Sequence, residues 1–338
     1  MKLLYGISSI KKEIQSLRPL KTVLVIARRV AKVQPKLVRE IRSACDADVE
    51  MIVDDGENLK SWKSTEAILK KFSAYELDRD SLIIAVGGGT VGDAVGFASS
   101  IYLRGIRYVN VPTTLLAQVD SAHGGKTGIN FGAYKNQVGT FHESAATVVD
   151  HRFIKTLPTE EVVSGLGEII KAGFISDASI LTLLEKERIA TFARSRHLDE
   201  IIRKSIEVKR TFVNEDLHDR GLRQILNVGH TIGHAIELKH DLSHGRAVII
   251  GMIKEFEMGE RAGLLGFGLK KELVRLLEKM HVDIFTTYIP DWKAVWKDKK
   301  VSGDMIVWPI VEHLGKATLV KISKKKFKKL FGYTLRKL

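Results

Sequence analysis

Residues 81–93 read SLIIAVGGGTVGD. The apolar run over 82–86, rich in Ile and Val, has the signature of a buried strand. It breaks at once into Gly87, Gly88 and Gly89, followed by Thr90, Val91, Gly92 and Asp93. Successive glycines let the backbone take positive φ and bring bare N–H groups close to a ligand. The spacing fits G-x-G-x-x-G, and residues 93–100 read as the start of a helix. The N–H groups and dipole at such a start favour a phosphate or pyrophosphate. Alone, the motif fits a ligand-free strand-to-helix turn equally; the flanking sequence decides.

Working outward, 21–27 (KTVLVIA) and 49–53 (VEMIV) read as two further buried strands, with helical character over 36–44 between them. Strand–helix–strand order, continued by 82–86, predicts a parallel α/β sheet. Residues 107–111 (RYVNV) and 146–150 are further strands. After the second strand stand Asp54, Asp55, Gly56 and Glu57, then Lys60. Acids at a strand end can bond ribose hydroxyls, although a polar turn with a helix cap explains them as well. In the usual dinucleotide fingerprint the glycine loop follows the first strand and the acid comes later. Here the acidic turn precedes the glycine loop, so a bound dinucleotide would meet a variant arrangement. Between 112 and 136 lies a dense polar segment that includes Gln118, Asp120, Ser121, His123, Lys126, Thr127, Asn130, Lys135 and Asn136. Its Lys126 follows a Gly-Gly pair and can reach an anion as the backbone does.

At Leu157–Pro158 the pattern changes. Pro158 before Thr159, Glu160 and Glu161 is a helix start, and the sequence reads as helical to about 279. The expected division is therefore 1–156, an α/β dinucleotide-binding domain, and 157–338, a mostly helical domain. Residues 305–310 and 317–322 read as a small hairpin.

The 338 residues suffice for two cores. No apolar run reaches the 18 residues of a membrane-spanning helix, and charge interrupts the N-terminus too early for a secretory signal. Cys45 is the one cysteine, which excludes an intrachain disulfide and suits the cytoplasm. Net charge is +14, and 321–338 carries eight basic residues with no acid after Glu312. The spacing of Phe327 and Leu330 makes this tail an amphipathic helix with a solvated basic face. A nucleic-acid role would need interleaved aromatics or a known binding fold, and neither appears.

The second half holds a metal-like set. His230 and His234 are four apart, on one helix face, and His244 follows a polar turn. Glu168 lies in a helical stretch and shares a face with Lys171. Three imidazoles and a carboxylate suit Zn²⁺ with an open position; spacing leaves open which two histidines would bind. Lys171, Lys209, Arg223 and the pair Lys299–Lys300 are surface charge by default. With Lys126 and Lys135, they could instead serve a substrate bearing carboxylate and phosphate groups.

At this point the sequence resembles the 3-dehydroquinate synthase family. The matching runs are GGGTVGDAVGFAS, YLRG, VPTTLLAQVDS, GGKTGIN, KNQVGTF, LPTEE, GLGEIIKAG, GLRQILNVGHTIGHAIE, HGRAV and DKKVSG, in order between about 54 and 316. The resemblance implies an NAD-binding α/β domain, a helical metal-binding domain and a site in the cleft between them. It implies a lyase of the shikimate pathway, which serves chorismate and aromatic amino acid biosynthesis. The enzyme would convert 3-deoxy-D-arabino-heptulosonate 7-phosphate to 3-dehydroquinate and phosphate. The steps would be transient oxidation by NAD, phosphate elimination, reduction and intramolecular aldol closure, aided by zinc or cobalt.

Carried over by motif, Glu168, His230 and His244 would be the metal ligands, and His234 would assist proton movement near the phosphate. NAD would meet the acidic turn at Asp55, Gly56, Glu57 and Lys60, then the glycine loop at Gly89, Thr90, Val91, Gly92 and Asp93. Beyond these it would meet Thr113, Thr114, Lys126 and Lys135, and the segment from Phe153 to Thr156. Substrate would meet Asp120, Lys126, Asn136, Lys171, Lys209, Arg223, Asn227 and one or both of Lys299 and Lys300. Arg104 would reach the neighbouring subunit's phosphate site, implying a homodimer. Three positions depart from the family. Arg246 stands where HGE is usual, the 238–243 loop is short, and Ser121-Ala122-His123 replaces Ser-Ser-Val. A sibling sugar-phosphate cyclase such as 2-deoxy-scyllo-inosose synthase would share the cofactor motifs, but Lys209 and Arg223 favour an acid substrate. A metal-dependent polyol dehydrogenase would lack the GGKT and KN segments.

Overall fold

A computed structural model of the chain describes residues 1–132, 134–284, 287–297 and 301–335. These fall into two compact units, Met1–Leu157 and Pro158–Leu338.

The first unit carries β1 (Lys2–Tyr5), α1 (Ser9–Leu17), β2 (Thr22–Ala27), α2 (Arg28–Val33), α3 (Pro35–Cys45), β3 (Val49–Val53), α4 (Trp62–Ala74), β4 (Leu82–Gly87) and α5 (Gly89–Ile101). It continues with β5 (Arg107–Pro112), β6 (Lys126–Phe131), β7 (Tyr134–Phe141) and β8 (Ala146–Val149). Six strands form one sheet in the order β1-β8-β5-β4-β2-β3, each neighbouring pair parallel. Both faces are covered, so the central strands read as unbroken apolar runs. Alternate side chains go to opposite sides. Val23, Val25, Ile83 and Ala85 pack with Phe72 and Val95 of α4 and α5. Leu24, Ile26, Ile84 and Val86 pack with Ile10 and Ile41 of α1 and α3. Fully burying a side chain of this size contributes about 1.5–3 kcal/mol, which makes the sheet the anchor of the unit.

From β2 the chain goes one way to β3 and then returns to the other side for β4. The strand order therefore reverses at β2, and the crevice beyond the carboxyl ends of β2 and β4 is a topological switch point, where such sheets bind ligands. The glycine loop leaves β4 at that edge. Its helix begins at Gly89, four residues earlier than the apolar pattern suggested, because glycines pass for loop when read by hydrophobicity. The polar segment 112–136 is likewise more ordered than its composition implied. A π-helical turn at Ala117–Ser121 leads into the antiparallel pair β6–β7. The edge strand β1, short and opening on Lys2, gave no alternation to read.

The second unit is helical: α6 (Thr159–Ile175), α7 (Ser179–Leu184), α8 (Ile189–Phe192), α9 (Leu198–Glu215), α10 (His230–His240), α11 (His244–Arg261), α12 (Leu269–Met280) and α13 (Trp292–Lys297). The strands β9 (Val301–Ser302), β10 (Met305–His313) and β11 (Lys316–Ser323) form an antiparallel sheet, and α14 (Lys324–Leu335) closes the chain. The terminal helix is amphipathic as expected, but it buries Phe327 and Phe331, four apart, rather than Leu330. Among the described residues no helix is long and apolar enough to cross a membrane.

Cys45 at the end of α3 is buried in the sheet core, and burial pushes its thiol up to about 12. The thiolate is the reactive species. The native protein should therefore resist thiol reagents at pH 8 for hours and take up one equivalent on unfolding in guanidinium. Rapid labelling of the native protein would show that α3 does not seal this face.

Candidate active site

In the second unit the site is made by three helices brought unusually close. Gly167 on α6 faces Gly245 on α11. A Cβ at Gly245 would stand 2.1 Å from the Ser164 carbonyl oxygen, and one at Gly167 would stand 2.5 Å from that of Gly245. Glycine at both positions lets the backbones touch, and the next residue in one chain segment and the preceding residue in the other are Glu168 and His244. The start of α10 is set on α11 in the same way. Gly229 (φ +78°) caps α10, and a Cβ on Gly251 would lie 1.9 Å from its carbonyl oxygen.

Three donor atoms converge on this junction. Glu168 Oε1 lies 3.4 Å from His230 Nε2 and 3.3 Å from His244 Nε2. The ligand atoms of these three residues fall within 4.8 Å of one another. Each imidazole is held from behind. His230 Nδ1 lies 3.1 Å from the Val228 carbonyl, and His244 Nδ1 lies 3.1 Å from Glu237 Oε2. A carbonyl oxygen can only accept, so His230 donates through Nδ1 and turns Nε2 toward Glu168. His234 stands one turn beyond His230 on the same face, with ring centroids 5.0 Å apart. His234, Glu237 and His244 form a second close group, which is less buried.

The charges are balanced within the cluster. Glu168 is 3% exposed, and its other oxygen is paired with Lys171 Nζ one turn along α6. Burial alone would push the Glu168 carboxyl up. The Lys171 charge, the hydrogen bond and charge of His244, and then Lys209 outweigh it and hold the group well below the usual carboxylate range. Burial would lower His244, but its hydrogen bonds to Glu168 and Glu237 raise it to about 10. Lys209 is half-buried on α9. Arg223 is 3% exposed rather than the surface cation that composition suggested. Its Nη1 donates to the Leu217 carbonyl at 2.6 Å. It lies on the short 3-10 helix Leu222–Asn227, which ends at half-buried Asn227. Lys299 and Lys300 lie outside the described residues.

The three positions singled out from the resemblance are all placed by local contacts. Within 238–243, α10 runs to His240 and Asp241 turns in the left-handed region (φ +51°). Arg246 makes a bidentate pair with Glu160 on α6, Nη2 to Oε2 at 2.8 Å and Nε to Oε1 at 3.1 Å, and donates to the Asp283 carbonyl. Buried His123 keeps its Nε2 2.7 Å from the Gln118 carbonyl.

In the first unit, the expected nucleotide residues gather in part. Lys60 is buried, and its ammonium pairs with Asp93 at 2.5 Å and with the Asn136 side chain. Burial pushes Asp93 up against the pull of Lys60, and Glu57 and Asp120 add to the rise. Glu57 accepts from Asn130 at 2.6 Å, and Asn130 accepts the Asn136 N–H at 2.9 Å. Asp55 instead takes the Arg29 N–H at 3.0 Å; Gly56 (φ +86°) turns the chain beside it. At the glycine loop, a Cβ on Gly89 would stand 2.8 Å from Ser121 Oγ, while Thr90 is half-buried and Val91 belongs to the core. Gly92 lies against the Asn110 side chain, Thr113 N–H bonds the Gly87 carbonyl, and Thr114 Oγ1 accepts from Ala117 N–H. Lys126 and Lys135 are exposed on β6 and β7. Phe153 is a core side chain, and both its carbonyl and Thr156 Oγ1 are held by Gln34. Arg104 is exposed with φ +67°.

Two carboxylates escaped the sequence reading. Glu237 lies seven residues after His230, two turns along the same face, a signal that was available. Buried Glu255 accepts from the Gly229 and Ile232 N–H groups at 3.1 Å each and from Trp308 Nε1 at 3.2 Å. It neutralises the start of α10, and nothing in local spacing marks it.

Gly245→Ala should lower stability by about 1–3 kcal/mol, the usual range for overpacking, because a backbone oxygen rather than a flexible side chain blocks the new methyl group. Urea midpoints at constant m-value measure it; an unchanged midpoint would mean that α6 and α11 part without cost.

The sequence matches the 3-dehydroquinate synthase N-terminal family over residues 50–164 and the 3-dehydroquinate synthase C-terminal family over 165–301. A 3-dehydroquinate synthase of Enterococcus faecalis is 37% identical over 315 residues, spanning 90% of this chain and 87% of that one. Among solved structures, 2-epi-5-epi-valiolone synthase of Streptomyces hygroscopicus, with NAD+ and Zn2+ bound, aligns with a TM-score of 0.86 at 23% identity over 99% of this chain and 96% of that one. 2-Deoxy-scyllo-inosose synthase, complexed with carbaglucose-6-phosphate, NAD+ and Co2+, aligns at 0.82 and 24% identity over 97% and 95%. At these identities the two structures share the fold. The identity to the Enterococcus synthase, sustained across nearly the whole of both chains, places this chain in the 3-dehydroquinate synthase family.

Proposed function

We propose that the chain is a 3-dehydroquinate synthase that converts 3-deoxy-D-arabino-heptulosonate 7-phosphate to 3-dehydroquinate and phosphate. The observation that carries the reading is the convergence of Glu168, His230 and His244 in a member of this family. One carboxylate oxygen and two imidazole nitrogens, with their outer atoms already bonded, fit a divalent ion of the zinc or cobalt kind with positions left for substrate oxygens. The glycine loop at the switch point of the parallel sheet, with the Lys60–Asp93 pair beside it, fits NAD. When bound, the ion supplies Lewis acidity and NAD a hydride acceptor that is restored within the turnover.

The remaining work falls to side chains of this chain. Lys171 neutralises buried Glu168 and leaves Oε1 facing the histidines. Lys209 and Arg223 supply fixed cations for the substrate carboxylate, and a buried guanidinium holds such a group far more firmly than an exposed one. His234 can hold or pass a proton one helical turn from His230. Asp120, Lys126, Asn136 and Asn227 orient the hydroxyls and the phosphate. We further infer a cytoplasmic homodimer in which Arg104 serves the neighbouring subunit's phosphate site.

The assay is phosphate release from 3-deoxy-D-arabino-heptulosonate 7-phosphate with substoichiometric NAD+. Many turnovers per NAD+ are expected, lost on chelation and restored by Zn²⁺ or Co²⁺. Turnover of glucose 6-phosphate instead would move the chain to the sibling cyclases, and stoichiometric NADH with a polyol to the dehydrogenases. Arg223→Ala should weaken binding of the acid substrate by about 2–5 kcal/mol, as for truncation of one member of a desolvated charge pair. Unaltered KM and kcat would remove Arg223 from the site.

A further inference from the structure

His244 is the first residue of α11, and its backbone is held twice. The Gly167–Gly245 contact fixes the helix against α6, and Ser243 and Arg246, on either side of the His244–Gly245 pair, both bond Glu160. What these contacts leave undecided is rotation of the ring. Its side chain keeps a quarter of its surface exposed, so water could satisfy Nδ1 in several orientations. Two contacts bear on the rotation: Nε2 faces Glu168 Oε1 at 3.3 Å, and Nδ1 faces Glu237 Oε2 at 3.1 Å, the second being the one that comes from outside the ligand set. Glu237 comes from α10, the helix that also presents His230, so it ties the second imidazole to the helix of the first.

We infer that Glu237 is a positioning residue that holds the His244 imidazole with Nε2 turned toward Glu168 and so sets the affinity of the site for a divalent ion. An ionised carboxylate accepts only, so His244 must donate through Nδ1, which assigns metal binding to Nε2. The carboxylate also makes the imidazole a stronger donor to a cation, an effect a neutral acceptor reproduces in part. The inference rests on the metal reading proposed above.

The test uses the full chain stripped of metal. Zn²⁺ affinity is read by competition with a chromophoric chelator, and the Co²⁺ form by its visible absorption bands. Glu237→Ala should bind Zn²⁺ about 10- to 100-fold more weakly, the usual range for loss of an outer-shell partner. Its Co²⁺ band pattern should be preserved, because the three ligands are unchanged. Glu237→Gln keeps an acceptor for Nδ1 and should recover much of the affinity, which also guards against a folding defect in the alanine variant. Wild-type affinity in Glu237→Ala, with binding lost in Glu168→Ala, would overturn the inference and leave the metal site standing. Complete loss in Glu237→Ala with altered Co²⁺ bands would overturn it by making Glu237 a ligand. Undiminished binding in Glu168→Ala would overturn the metal reading itself.

Discussion

The constraint on which the second unit depends is the ionised carboxylate of Glu168 in the middle of α6, 3% exposed. A charge taken out of water costs several kcal/mol unless it is paired and fully hydrogen-bonded. Here a lysine on its own helix meets one oxygen and imidazoles from two other helices meet the second. No single helix could supply those partners. The carboxylate therefore forces α6, α10 and α11 to one junction, and the glycines at 167, 229, 245 and 251 are the local means of getting three backbones there. Removing Lys171 would leave Glu168 a buried carboxylate without its fixed cation, the costly way to break such a pair.

The first unit obeys a different constraint, set by strand order. Because β2 lies between β3 and β4, the acidic turn after β3 and the glycine loop after β4 flank the same strand end from opposite sides. That order removes the puzzle of an acidic turn that precedes its glycine loop in sequence. The two are neighbours across β2 whichever the chain reaches first. The buried Lys60 then joins the two segments through Asp93.

Legibility followed the range of the physics. Strands β2 and β4 announced themselves because burial on both faces demands unbroken apolar runs, and that demand is local. The shared face of Glu168 and Lys171, and of His230 and His234, follows from helical pitch alone. Arg223 could not be seen as buried, because its burial depends on packing around a 3-10 turn whose partner is the Leu217 carbonyl. Glu255 could not be seen as a helix cap, because it reaches Gly229 from 26 residues away. The hairpin β6–β7 read as a polar loop because most residues of β7 stay exposed, so alternation had little to act on. Identity of the family came from ordered motifs, not from any of these local signals.

Magnitudes decide how His244 is held. The Arg246–Glu160 pair is bidentate, but the glutamate side chain is 53% exposed, and pairs of that kind contribute about 0–1 kcal/mol. The Gly167–Gly245 contact is backbone against backbone and admits no methyl group without displacement, which costs about 1–3 kcal/mol. The glycines therefore set how closely α11 can approach α6, and the arginine adds a partly exposed tie between the same two helices. This explains how the Arg246 charge is accommodated beside a metal-like cluster. Arg246 points to Glu160 and the Asp283 carbonyl, so its charge is spent on the first turn of α6. The electrostatics of the cluster remain with Lys171, Lys209 and Glu237, which the helices fix independently of it.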